Sequence, residues 1–125
     1  MKASDLFIKC LEEEGIEYIF GIPGEENADF MISFEDVAEK IQFILCRHEQ
    51  GAAFAAEVYG RLTGTPAGCL GTLGPGVTNL LTGVADGNMD RAPMLVLTGQ
   101  GSSERLHKES HQILSLIHIS EPTRP

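Results

Sequence analysis

Phe43-Ile44-Leu45-Cys46-Arg47-His48-Glu49-Gln50-Gly51-Ala52-Ala53 reads as a strand running into a helix. Four apolar residues end at a polar corner, and small residues follow. A continuous apolar run, in place of alternation, marks a strand covered on both faces, as in a parallel sheet. The corner puts Glu49 at the mouth of the fold, beside helix N-terminal amides and against apolar walls. Two readings stand for it. Glu49 is an N-terminal acid favoured by the helix dipole, or it is a partly desolvated carboxyl group able to exchange a proton with a bound heterocycle. His48 divides the same way, into a structural residue or an acid and base.

The pattern repeats on either side. Ser4 or Asp5 caps a first helix, with Leu6, Phe7, Cys10 and Leu11 on one face and Gly15 ending it. Glu12, Glu13 and Glu14 crowd its C-terminal end, where the dipole disfavours them, so tertiary packing must hold that turn. Ile16 to Phe20 reads as a strand, Gly21-Ile22-Pro23-Gly24 as a tight loop, and Glu25 to Ser33 as a helix. Ile41 to Cys46 and Ala67 to Thr72 read as strands on either side of a helix over Gln50 to Thr63. Small residues on that helix (Ala52, Ala53, Ala55, Ala56, Gly60) let another backbone approach. Gly74-Pro75-Gly76 opens a further helix, with Val77, Leu80, Leu81 and Val84 in helical period up to Gly87, and Met94 to Thr98 is the last strand. Strands alternating with helices predict an α/β fold: a doubly wound parallel sheet with helices on both faces.

Composition narrows the partners. The 125 residues suffice for one domain, and 42% apolar with 22% charged is ordinary for a globular chain. Eighteen acids against nine Lys and Arg give a net charge of -9, which excludes a nucleic-acid or anionic-membrane surface built on basic stripes. Cys10, Cys46 and Cys69 are widely spaced, so neither a zinc site nor a disulfide framework is expected, and all three read as buried thiols. Met1-Lys2-Ala3-Ser4-Asp5 lacks a signal peptide's apolar core, and no apolar run approaches the roughly 20 residues of a membrane span. The expected location is cytoplasmic.

Parallel sheets place their ligands outside the carboxyl ends of the strands. The loops 21–26, 47–50, 72–78 and 99–103 fall there and are rich in Gly and polar residues. Gly74-Pro75-Gly76 presents helix N-terminal amides to an anion or polar ring, or forms an ordinary turn. It has neither Walker nor dinucleotide spacing. Thr78 and Asn79 are ligand contacts or helix caps. His107, Glu109, His111 and Gln112 form a polar cluster at the site's edge or a solvated loop, and His107 with His111 is at most half a metal site.

Four segments in this order resemble the N-terminal pyrimidine-binding domain of thiamine diphosphate-dependent enzymes, within them the acetolactate synthase (acetohydroxyacid synthase) subgroup. They are Gly21-Ile22-Pro23-Gly24-Glu25-Glu26-Asn27, Arg47 to Ala53, Thr72-Leu73-Gly74-Pro75-Gly76-Val77-Thr78-Asn79, and Ala92-Pro93-Met94 through Gly99-Gln100. The resemblance implies that Glu49 hydrogen-bonds a ring nitrogen of the cofactor's aminopyrimidine and so assists deprotonation of the thiazolium carbon. It implies a catalytic role for Gln112 and cofactor contacts from Pro23, Gly24 and Glu25. Thr72, Gly74, Pro75, Gly76 and Asn79 complete the implied cofactor set. The implied substrates are pyruvate and a second 2-keto acid, and the implied assembly is a homodimer or homotetramer.

The same resemblance implies that no metal ligand lies in this chain. Magnesium and the diphosphate belong to a further domain, brought by a partner subunit, so these residues alone are expected to be inactive. The stretch 104–112 is closer to the catabolic, acetoin-pathway branch than to the flavin-containing one, and FAD is left open. Sister enzymes share the pattern: pyruvate oxidase, oxalyl-CoA decarboxylase and sulfoacetaldehyde acetyltransferase. A non-catalytic module gripping an anion at Gly74-Pro75-Gly76 is the reading outside this family. The likeness runs from residue 1 to about 113, an incomplete pyrimidine-binding domain. Residues 114–125 instead resemble the translation of a transposase adapter used in sequencing libraries, a non-native tail.

Overall fold

The computed structural model describes residues 1–106, 108 and 110–116. The predicted polar positions His107 and Glu109 lie outside the described residues, as does most of the tail, 117–125. Four strands, β1 (Tyr18–Gly21), β2 (Gln42–Leu45), β3 (Ala67–Gly71) and β4 (Met94–Thr98), form one parallel sheet in the order β2-β1-β3-β4. Helices α1 (Ala3–Glu13) and α2 (Ala28–Phe34) cover one face, and α3 (Glu49–Thr63) and α4 (Pro75–Asp90) the other. This is the doubly wound α/β arrangement the apolar runs predict, except that β2, read as covered on both faces, is the sheet's edge and leaves Ile44 and Leu45 exposed.

Side-chain alternation along each strand sorts the two cores. Ile19 and Leu70 pack with Ile8, Leu11, Phe34 and Ile41 beneath α1 and α2. Ala67 and Cys69 point the other way, into Ala52, Ala53, Ala56 and Leu80. The second layer is built of small residues, and this brings its two helices close together. A Cβ on Gly83 would lie 2.6 Å from the Ala53 Cβ and 2.9 Å from the Phe54 nitrogen. Farther along α3, a Cβ on Gly60 would lie 2.0 Å from the Pro93 carbonyl oxygen, so helix and loop backbone are in direct contact.

Several expectations are corrected. The buried face of α1 is Ser4, Ile8 and Leu11; Leu6 and Cys10 are exposed, and Phe7 packs edge-on against Phe30 at 5.3 Å. Neither Ser4 nor Asp5 is the N-cap. Lys2 holds that position, its backbone N–H donating to Asp5 Oδ2 at 2.7 Å, while Ser4 Oγ accepts from Ser33 Oγ at 2.9 Å. Gly15 does end the helix, at φ 75°, with the Ile16 N–H bonded back to the Leu11 carbonyl at 3.0 Å. Ile16 therefore belongs to the helix cap, and β1 starts two residues later. The acidic end of α1 is held by an ion pair between Lys40 and Glu12. The predicted helix over 25–33 is a single 3₁₀ turn, Glu25–Asn27, followed by α2. Helix α4 continues past Gly87 to Asp90 and ends on Arg91 at φ 53°. Of the three thiols only Cys69 is buried, and burial pushes it up to about 12.

Candidate functional site

All four strands end on one edge. Gly21 is in register with Leu45 on one side and Leu70 on the other, and Gly71 with Thr98. The chain winds outward from β1 to β2, then crosses to β3 on the far side of β1. The winding direction reverses between β1 and β3, the place where sheets of this kind form their ligand crevice. The loop after β1 and the loop after β3 meet there: a Cβ on Gly24 would lie 2.6 Å from both Cβ and Oγ1 of Thr72. Only glycine fits that approach.

Glu49 is the first residue of α3, delivered to the crevice by the turn that follows β2. His48 is the N-cap in extended conformation (φ -155°, ψ 140°), its Nδ1 accepting from the Gln50 N–H at 3.2 Å. The imidazole thus serves the helix, and the capping frees the Glu49 carboxylate from that task. Glu49 is 8% exposed. Its Oε2 accepts from Asn79 Nδ2 at 2.9 Å, a bond from α3 to α4 across 30 residues of sequence. Its Oε1 lies against Gly76, 3.4 Å from where a Cβ would be.

The loop leading into α4 forms the rest of the wall. Gly74 caps α4 at φ 59°, ψ -115°, and Pro75 takes the first helical position. The Gln112 carbonyl comes within 2.2 Å of a Cβ position on Gly74, so segment 110–113 lies over this turn; Gln112 itself is exposed at φ 54°. The Thr78 hydroxyl donates back to the Pro75 carbonyl at 3.0 Å, which makes it a helix residue and not a free contact. Thr72 Oγ1 is buried and has no hydrogen-bond partner among the described residues. A hydroxyl in that condition is costly unless something supplies the partner. Pro23 and Glu25 are exposed at the rim, and Gly24 donates its N–H to Asn27 Oδ1 at 2.7 Å.

The structure thus brings together Glu49, Thr72, Gly24, Gly74, Gly76 and Asn79, and leaves Pro23, Glu25, Pro75 and Gln112 around the mouth. Sequence reasoning passed over two buried residues. Asn27 is 1% exposed and holds the β1 loop; its spacing from Gly24 is the available signal. Glu57 is fully buried, its carboxylate 3.0 Å from Arg61 Nε one turn on, and the pair is legible as an acid four residues before a base. Among the described residues no three His, Cys, Asp or Glu side chains gather to hold a metal ion, and no helix is long and apolar enough to cross a membrane.

One carboxyl group, one orphan hydroxyl and side-chain-free glycine walls suit a flat polar heterocycle. Fold and loops together define a doubly wound α/β domain whose candidate site lies at its switch point. Residues 1–119 match the family described as the thiamine pyrophosphate enzyme, N-terminal TPP binding domain, and the chain belongs to that family. Its relatives include an acetolactate synthase of Arthrospira platensis, 41% identical over 92% of this chain and 20% of that protein. A probable acetolactate synthase large subunit of Methanocaldococcus jannaschii is 38% identical over 98% of the chain and 20% of its own length. The chloroplastic acetolactate synthase of Arabidopsis thaliana is 34% identical over 95% of the chain and 18% of its own length. The chain therefore spans about a fifth of the length of these curated relatives.

Proposed function

We propose that this chain is the pyrimidine-binding part of an acetolactate synthase-like carboligase, in which Glu49 moves a proton at the aminopyrimidine of thiamine diphosphate. The observation that carries the reading is the Glu49 carboxyl group, 8% exposed, fixed at the switch-point crevice with one oxygen bonded to Asn79. Glu49 holds or releases a proton at a ring nitrogen, the work of a placed general acid and base. Thr72 donates or accepts at its unpartnered hydroxyl. Gly24, Gly74 and Gly76 let the ring approach the backbone, and Asn79 fixes the acid. Pro23, Glu25, Pro75 and Gln112 close the mouth. When bound, the coenzyme supplies the electron sink for decarboxylating pyruvate and joining the remainder to a second 2-keto acid. The diphosphate and its magnesium are held by a further domain of the parent enzyme, from a partner subunit of a homodimer or homotetramer. Residues 114–125 are a non-native tail in this reading, and resequencing an independent clone tests it.

The catalytic test uses the full-length enzyme. Glu49→Gln lowers turnover by roughly a hundred- to ten-thousand-fold, the usual scale of a lost acid–base step. Near-normal turnover removes Glu49 from the reaction.

A further inference from the structure

We propose that Asn79 is a positioning residue for Glu49: it occupies Oε2 and leaves Oε1, beside Gly76, as the oxygen that meets the ligand. This rests on the role of Glu49 given above, and it departs from the family likeness, which makes Asn79 a cofactor contact. The Asn79 amide nitrogen is a donor only, so the carboxyl oxygen it touches is an acceptor. An exchangeable proton on Glu49 therefore sits on Oε1. The contact joins two rigid elements. Asn79 lies in the first half of α4, half-buried, and reaches Glu49 Oε2 at 2.9 Å.

The spacing that permits the bond is itself built in. Gly83, one turn beyond Asn79, lies against the Ala53 Cβ and the Phe54 nitrogen, so α4 sits as near α3 as backbone allows. Gly76, one turn before it, sets no side chain of α4 against Oε1. A glutamate has three side-chain torsions, and a bond from a neighbouring helix removes much of that freedom before the ligand arrives.

The test compares wild type, Asn79→Ala, Glu49→Gln and the double variant in the full-length enzyme loaded with thiamine diphosphate and magnesium. Asn79→Ala is expected to lower kcat about ten- to a hundredfold, the worth of one hydrogen bond to a charged group, with KM for pyruvate within about threefold. In the Glu49→Gln background the same change is expected to cost less than about threefold, because the two residues act as one unit. Calorimetric titration of thiamine diphosphate gives a readout independent of turnover: Asn79→Ala weakens binding when Glu49 is present and leaves it unmoved when Gln is there. Asn79→Leu keeps the size, lacks the donor and reproduces the loss; it replaces the alanine variant if that one fails to fold. Equal losses in both backgrounds, in turnover or in affinity, would overturn the positioning role in favour of direct cofactor contact. So would wild-type turnover in Asn79→Leu. If Glu49→Gln alone keeps full turnover, the failure lies in the role given to Glu49.

Discussion

Helix α3 carries two buried glutamates, eight residues apart, and both face α4. Glu57, at 0% exposure, is answered by a cation: Arg61 Nη2 donates to its Oε2 at 3.3 Å, Arg61 Nε forms an ion pair with Oε1 at 3.0 Å without a hydrogen bond, and Arg61 is held in turn by Asp90. Glu49, at 8% exposure, is answered by the neutral amide of Asn79. Each carboxylate has a glycine of α4 beside it, Gly76 by Glu49 Oε1 and Gly87 by Glu57 Cγ. The packing is alike and the electrostatics are not. A carboxylate neutralised by its own helix is a fastening. One held by an amide at the crevice keeps a lone pair and a protonation site for use. Under the proposed function the partner, more than the burial, separates the structural acid from the chemical one.

The contrast is broken most directly by Glu49→Gln, which is expected to abolish most turnover in the full-length enzyme while moving the urea midpoint little. A large loss of stability would make Glu49 a second fastening. Arg61→Ala should do the opposite, costing about 3 kcal/mol, the low end for an orphaned buried acid because Arg61 is half exposed. Urea denaturation reads it, and an unchanged midpoint means that Glu57 is solvated by another route. Gly83→Ala tests what lies between the two acids. Its methyl group meets backbone at 2.9 Å, so the helices must part, at about 1–3 kcal/mol. Turnover should fall further than stability alone accounts for, as Asn79 draws away from Glu49.

Cys69 gives the control, a buried acid in the same layer answered only by its own backbone N–H. Burial raises it from 9.0 to about 12. The unfolded thiol ionises first, so this contribution to stability is whole below pH 9 and declines from there toward 12. The slope is at most about 1.4 kcal/mol per pH unit, and Cys69→Ala should remove that part of the alkaline fall in chemical-denaturation profiles.

Much of this was legible in the residues. Apolar runs placed all four strands, and β4 fell at the predicted Met94 to Thr98 because Pro93 and Gly99 bracket it. The position of Glu49 followed from the strand-to-helix corner alone. What escaped was set by contacts distant in sequence. The α1 face misled because its buried positions include Ser4, whose hydroxyl is satisfied by Ser33, a residue no local pattern connects to it. Ile16 looked like strand but closes a helix cap. Glu57 was hidden because apolar periodicity assigns an acid to the solvent side, and Asn27 because a buried amide has no periodic signature. At the crevice the residue types were readable, whereas the choice of Asn79 over Thr78 as the partner of Glu49 required the helix crossing.

The seating of Gly60 on the Pro93 carbonyl has an outcome for large-scale variant screens. Scored by growth, every replacement of Gly60 should look as damaging as the loss of Glu49, although it stands at the amino edge of the sheet, remote from the crevice. Intolerance read alone would mark a contact of two backbones as an active site. Scoring protein abundance alongside growth separates them: Gly60 variants vanish from the cell, and Glu49 variants persist as inert protein.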